Sequence, residues 1–470
     1  MSAAKGGVPA DGTQKRRVRV ASGQGFWGDE LEAPVRQVEQ GPIDYLMLDY
    51  LAEVTMSILR KQRARDPSAG YARDFVTLMR RIFPTCVERN IRVVSNAGGV
   101  NPLGCVDALV AAGREAGVGG RVKVGLVTGD DLMERLDEIL AAGHELRHME
   151  SGQPLTDVRS EVQSANVYLG AAPIVEALRR GADVVLTGRA IDAALTYAPL
   201  VYEFDWPMDD YDLLAAGVVA GHINECGAQC TGGNCMIDWW LVPDLANVGF
   251  PIIEASPDGT FVVTKHEGSG GWVTRASVTE QLLYEIGDPR AYLGPDVAAD
   301  FTSLELSDVG PDRVRVAGVR GHPPPEKLKV SIAYSAGWKS VGTLTYAWPD
   351  AAAKARAADR VLRERLDRLG LAFEEIHTEL VGWSSTHGPL AGEPDVEIPE
   401  VQLRFAVRAV DRAPVERFTR EVAPLVLTGP PSVTGYATGR PRVDEIVAFW
   451  PALVDREVVE KHVRVELRDV

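Results

Sequence analysis

What this chain is short of narrows its function first. Positive charge is outnumbered: 50 Lys and Arg against 66 Asp and Glu leave a formal net charge of −16 at pH 7. Such a surface repels phosphate backbones, so nucleic acid is not an expected partner. Cysteine is sparse and odd in number, with Cys86, Cys105, Cys226, Cys230 and Cys235 spread over 470 residues. That excludes a disulfide framework and fits a reducing, cytoplasmic location. No apolar run approaches the roughly 18–20 residues that span a bilayer, so no membrane anchor is expected. The start of the chain, 1–16, is rich in Gly, Lys and Arg and lacks the apolar core of a signal peptide. It reads as a disordered tail.

What is present is alternation. Apolar runs at Arg17–Ala21, Tyr45–Leu48, Ile91–Val94, Val122–Val127 and Ala182–Leu186 read as strands, with helical patterns between them. Strands alternating with helices imply βαβ units, so residues 17–325 are expected to form an α/β domain on a mostly parallel, doubly wound sheet. Residues 250–320 change to a β-rich pattern, with a hairpin around Ser256-Pro257-Asp258-Gly259. The prolines of His322-Pro323-Pro324-Pro325 mark a boundary. Beyond it, residues 326–470 read as a C-terminal α+β ferredoxin-like domain in βαββαβ order, with His462–Leu467 as its last strand. At 470 residues the chain is too long for one ordinary core, in keeping with this division.

The residues just past each strand are small or polar: Gly23–Asp29, Asp49, Ser95-Asn96, Thr128-Gly129-Asp130, and Thr187-Gly188-Arg189 with Asp192. In an open α/β sheet such points gather along the carboxyl edge, where ligands bind. Each taken singly also reads as a cap or a turn. Arg189 suits a bidentate grip on a carboxylate, or equally a salt bridge to Asp192. Asn96-Ala97-Gly98-Gly99 and Ser164-Ala165-Asn166 could add hydrogen-bond donors.

Gly221–Asn234 mixes imidazole, carboxylate, thiol and amide with glycines that let a backbone approach a ligand. If the helix before it continues, His222, Glu225, Cys226 and Gln229 share one face. A Cys226 thiolate beside an imidazolium is a nucleophile. Alternatively Glu225 or His222 performs acid–base work and the thiol only packs. The spacing of His222, Cys226, Cys230 and Cys235 matches no zinc pattern, so no metal is expected.

Gly23-Gln24-Gly25-Phe26-Trp27-Gly28 has the formal dinucleotide spacing, with Asp49 placed 21 residues after Gly28. Asp29 and Glu30 would repel phosphate at the helix start, and Trp27 is bulky for a loop that hugs a ligand. A Trp-anchored turn is the competing reading. Lys265–Gly271, with Ser269, could form an anion nest or a plain hairpin exit.

Together these stretches resemble a known family. Gly25-Phe26-Trp27-Gly28-Asp29, Asp49–Met56, Asn96-Ala97-Gly98-Gly99 with Asn101-Pro102, Thr187-Gly188-Arg189, and Glu225–Gln229 with Thr231-Gly232-Gly233 look like the acyclic terpene utilisation family, AtuA type. Cys230, Cys235 and His266 depart from the pattern. The resemblance implies breakdown of branched, isoprenoid acids such as citronellate and geraniate as CoA thioesters. It nominates Glu225, His222, Asp49 and Cys226 as catalytic. It also maps Glu53, Asn96, Arg189, Asp192 and Gln229 as site candidates; the last four, with Gly25 from the glycine loop and Ser269 from the Lys265–Gly271 stretch, are expected to bind substrate. The expectation is a cytoplasmic, homo-oligomeric enzyme of lyase, hydratase or hydrolase type, acting on such an acid or its CoA thioester, with no cofactor assigned. A non-catalytic binding or assembly subunit for an acyl-CoA-processing enzyme is the alternative from another class. A nicotinamide-dependent oxidoreductase is the third.

Overall fold

The computed structural model describes residues 17–394, 396–434 and 439–470. The tail expected at 1–16 lies outside the described residues. The chain forms two compact units. One holds the described residues up to Ala333 together with Phe449–Val470, and the other is Tyr334–Ala448.

Strands β1 (Val18–Gln24), β2 (Tyr45–Leu48), β3 (Arg92–Ser95), β4 (Lys123–Thr128), β5 (Val162–Val167) and β6 (Val184–Leu186) alternate with helices. After the helix Tyr211–Glu225 come β7 (Ile252–Ala255), β8 (Phe261–Thr264), β9 (Tyr292–Leu293), β10 (Ala298–Asp300), β11 (Glu305–Gly310), β12 (Arg313–Ala317) and β13 (Arg320–His322). The chain finishes with β14 (Lys327–Ala347), β15 (Glu375–Val381), β16 (Glu400–Ala409), β17 (Val433–Thr434), β18 (Val443–Asp455) and β19 (Arg464–Asp469).

The result is a mixed α/β protein with one large mixed sheet and two smaller ones. The large sheet runs β11-β12-β8-β7-β1-β2-β3-β6-β4-β19. Its centre, β1-β2-β3-β6-β4, is parallel. Those strands are covered on both faces, so Tyr45–Leu48 and Val184–Leu186 are apolar throughout and fully buried. The flanks are antiparallel. "Mostly parallel" therefore describes the middle of the sheet and not its whole width. The β-rich stretch supplies four antiparallel strands to one edge, including the β7–β8 hairpin, whose turn is closed by Ser256 N donating to Thr260 O at 2.9 Å.

The last strand needs a correction. Residues 462–467 were expected to complete a βαββαβ layer. Instead β19 pairs antiparallel with β4, from Arg464 opposite Thr128 to Asp469 opposite Lys123. Without it β4 would present an open edge. In the second unit, β15, β16, β14 and β17 lie side by side, antiparallel. The helix Ala351–Arg368 buries Ala355, Ala358, Leu362 and Leu366, spaced three and four apart, in a core with Leu403 and Phe405.

Two features of the first unit position the candidate site. The carboxyl ends of its parallel strands open on one edge. The helix Tyr211–Glu225, capped by Asp210 accepting from Leu213 N at 3.2 Å, is buried continuously from Leu214 to Glu225. No helix among the described residues is long and apolar enough to cross a membrane.

Candidate functional site

Adjacent strands β2 and β3 end together, so Asp49 and Asn96 are neighbours. Ser95 Oγ donates to Leu48 O at 2.8 Å, which ties the two exits to each other. Asn96 Nδ2 donates to Asp49 Oδ1 at 2.6 Å, and Asn96 Oδ1 accepts from Tyr50 N at 2.8 Å. The amide is thereby fixed, and it in turn fixes the carboxyl.

Strand β6 delivers Arg189, only 1% exposed. Its Nη1 donates to Leu51 O at 2.6 Å and pairs with Asp192. Its guanidinium lies 4.5 Å from the Tyr168 ring centroid, and Glu53 Oε1 is 3.9 Å from Nη2. Tyr168 donates its hydroxyl to Glu53 Oε1 at 2.5 Å. The backbone of Arg189 is anchored as well, donating to Asp130 Oδ2 at 2.8 Å, where Asn166 Nδ2 also donates at 2.9 Å. Gly188 is required here: a Cβ would lie 2.5 Å from the Asp130 carboxyl oxygens.

Burial dominates the electrostatics. It pushes Asp49 well above the usual carboxylate range, and the charge of Asp192 pushes the same way against the pull of Arg189 and Asn96. Burial also raises Asp192, although Arg189 opposes it, and Asp49 is hydrogen-bonded to it. The burial of Asp49 and the repulsion it feels from Asp192 both favour a proton on this pair. Burial raises Asp130 to about 7. Glu53 shows the opposite balance. Burial would raise it, but the Tyr168 hydroxyl and Arg189 hold it below the ordinary value.

A second acid–base pair stands at the end of the helix Tyr211–Glu225. His222 Nδ1 and Glu225 Oε1 are 3.0 Å apart, one helical turn along the same face. Burial raises Glu225 against the His222 hydrogen bond, and the charges of Asp192 and Glu285 raise it further. For His222, burial acts downward, but the Glu225 contact and charge outweigh it and lift the imidazole above its ordinary value. Gln281 Nε2 fixes the turn by donating to His222 O at 2.8 Å. Glu225 Oε2 and His222 Nε2 are buried with no hydrogen-bond partner. An unpaired buried oxygen and nitrogen on adjacent acid–base groups are groups that a bound molecule can satisfy.

Cys226 adjoins this pair, but its thiol is not activated. Burial and the Glu225 charge push it well above its usual range, against a hydrogen bond from Gln281. It is protonated at neutral pH, which disfavours the nucleophile reading. Gly25 meets the same turn from strand β1: a Cβ there would come within 2.8 Å of Cys226 C and Gly227 N.

The structure thus brings together Asp49, Asn96, Arg189, Asp192, His222, Glu225, Cys226 and Gly25. It leaves two expected residues out. The helix stops at Glu225 and Gly227 turns to φ +56°, so Gln229 sits half-buried on a 3-10 turn and does not continue the face of His222 and Glu225. Ser269 spends its hydroxyl on its own loop, donating to His266 O at 2.6 Å. In that loop Lys265 pairs with Asp312 at 3.1 Å and donates to Ser269 O at 2.8 Å, so the supposed anion nest has its cation engaged. Arg189 pairs with Asp192, as the salt-bridge reading expects, and with Leu51 O, while its Nε is buried without a partner.

The dinucleotide spacing resolves as a turn. Asp29 fills the loop with its own anion, accepting from Gly25 N at 2.9 Å and Glu30 N at 2.7 Å. A pyrophosphate would need those amides. Trp27 anchors the turn through Nε1 to Asp74 Oδ2 at 3.0 Å.

Tyr168, Gln281 and Tyr292 belong to the site without having been singled out. Tyr168 directly follows β5, whose Val-Gln-Ser-Ala-Asn-Val sequence lacks the apolar run that would have marked a strand exit. Tyr292 packs its ring 5.5 Å from that of His222.

No curated protein and no solved structure matches the chain. The family model for the acyclic terpene utilisation family protein AtuA matches residues 18–465, a span that begins at β1, ends within β19 and contains every residue of the cluster. The chain belongs to the acyclic terpene utilisation family, AtuA type.

Proposed function

We propose that this protein is an acid–base enzyme of acyclic terpene breakdown that adds water to, or eliminates it from, a branched, isoprenoid-like carboxylic acid or its CoA thioester. The observation that carries this reading is two acid–base pairs close enough for the Asp192 charge to act on Glu225: Asp49–Asp192, with the buried Asp49 pushed toward its protonated form, and His222–Glu225. Hydration needs a base and an acid set against each other. Glu225, relayed by His222, takes a proton from water as its oxygen bonds to the β-carbon. The protonated Asp49–Asp192 pair supplies a proton to the α-carbon as the double bond is lost. Elimination is the same path reversed. Neither a redox partner nor a thiolate enters, in keeping with the protonated Cys226. Asn96 and Arg189 keep the acid pair in place.

The test is incubation with 3-methyl-2-enoyl thioesters of branched acids in heavy water. The expected result is loss of the enoyl absorbance with one deuterium at the α-carbon. Glu225→Gln should lower turnover about 10²–10⁴-fold, the usual worth of a general base. Cys226→Ser should leave turnover within a few-fold of the wild type. Full activity in Glu225→Gln, or its abolition in a folded Cys226→Ser, would remove this mechanism.

A further inference from the structure

Residues 236–245 carry an apolar surface that the proposed chemistry does not use. Met236 is 81% exposed, Trp239 59% and Trp240 63%, with Ile237, Leu241 and Leu245 about half exposed beside them. From aromatic side-chain areas of 150–250 Å², the two indoles alone expose roughly 200–300 Å², and the four aliphatic side chains extend that surface. The largest patch on a typical monomer is about 300–600 Å², whereas a stable interface takes about 800 Å² from each partner.

The segment is held in place. Glu280 accepts from Met236 N at 2.8 Å and Ile237 N at 3.0 Å. At the other end Gly271 N donates to Pro243 O at 2.7 Å and Gly270 N to Asn247 O at 2.8 Å. A surface ordered before docking loses little entropy on docking. Its charge selects the occupant. No Lys or Arg occurs anywhere from 190 to 264. Segments that lie on anionic membranes place basic residues beside their aromatic anchors, and this one has none. A segment whose only charges are Asp238 and Asp244 suits an apolar surface of the same kind, which a two-fold axis supplies.

We infer that Met236–Leu245 is the self-complementary contact of a homodimer. The inference does not depend on the reaction proposed above. Sedimentation velocity of the full chain at about 20 µM should give twice the 50.9 kDa chain mass, with dissociation on dilution as mass action requires. Trp239→Ser with Trp240→Ser should sediment as a monomer, while Leu390→Ser, at an exposed site in the other unit, should leave the dimer intact. Hydrogen exchange of the wild type covers the case of a variant that fails to fold: amides of 236–245 should be protected at high protein concentration and not at low. A wild-type monomer at this concentration overturns the inference. So does a dimer that survives the double substitution, protection that ignores concentration, or a monomer that binds neutral lipid vesicles through this segment.

Discussion

Replacing Arg189 by methionine tests the electrostatic account most directly. The guanidinium is buried, and it faces Asp192, Asp49 and Glu53 as well as the Tyr168 ring. Methionine fills comparable volume, so the loss is one of charge and hydrogen bonding more than of packing. Breaking a buried ion pair by deleting one partner costs about 3–5 kcal/mol, because a charge is left without compensation. The cost here depends on pH in a defined direction. Both aspartates already sit above the ordinary carboxylate range, and removing Arg189 moves them higher. A carboxyl raised in the folded state binds its proton more tightly there than in the unfolded chain. Stability therefore falls as pH rises through the window between the two values. The deficit of Arg189→Met relative to the wild type should be largest near pH 8 and shrink toward pH 5 as the acids take up protons. Urea unfolding of both proteins across that range measures it. Adding Asp192→Asn to Arg189→Met should recover about 1–3 kcal/mol near pH 8, as expected of residues in direct contact. A deficit below about 1 kcal/mol, or one that grows as the pH is lowered, would refute the reasoning.

Three further outcomes follow from the same geometry. Gly25→Ala drives a methyl to 2.8 Å from the Cys226–Gly227 backbone, where little can yield, so it should cost about 1–3 kcal/mol and lower turnover through displacement of Glu225; thermal unfolding and kinetics read both effects. Asp130 is raised to about 7 against an ordinary 3.8, so the wild type should lose stability relative to Asp130→Asn as pH rises from about 4 to 7, and parallel pH profiles for the two proteins would contradict this. Cys226 should react with iodoacetamide far more slowly than a free thiol at pH 7.5, and mass mapping showing rapid alkylation there would overturn the burial argument.

The parts of the site that could be read from the chain were those fixed by local order. Asp49, Asn96 and Arg189 each follow an apolar strand, and parallel strands must release their next residues along one edge. His222 and Glu225 lie three apart in a helix that does form. What was misjudged depended on where regular structure stops and on what pairs across long distances. Gln229 was assigned to the same face by extending helical periodicity across Gly227, where the backbone leaves the helix. Ser269 was judged by composition, but its partner is the His266 carbonyl three residues before it. Tyr168 escaped notice because polar residues in β5 mask a strand that ends at the site. The sheet's mixed character could not be seen because an alternating strand carries no label for its partner, and β19 finds β4 more than 300 residues upstream. The AtuA motifs pointed to the candidate cluster, while the arrangement within it, with Arg189 turned inward and the Cys226 thiol pushed up, appeared only with burial.

The pairing of β19 with β4 also sets the order in which the molecule can be finished. Every residue of the unit 334–448 is synthesised before Arg464, and the large sheet waits for that strand to cover its rim. Until then β4 offers unsatisfied amides and carbonyls to any passing extended chain. The unit that carries the acidic cluster is therefore the last to be completed. The interval before that is when nascent copies are most open to mispairing with one another.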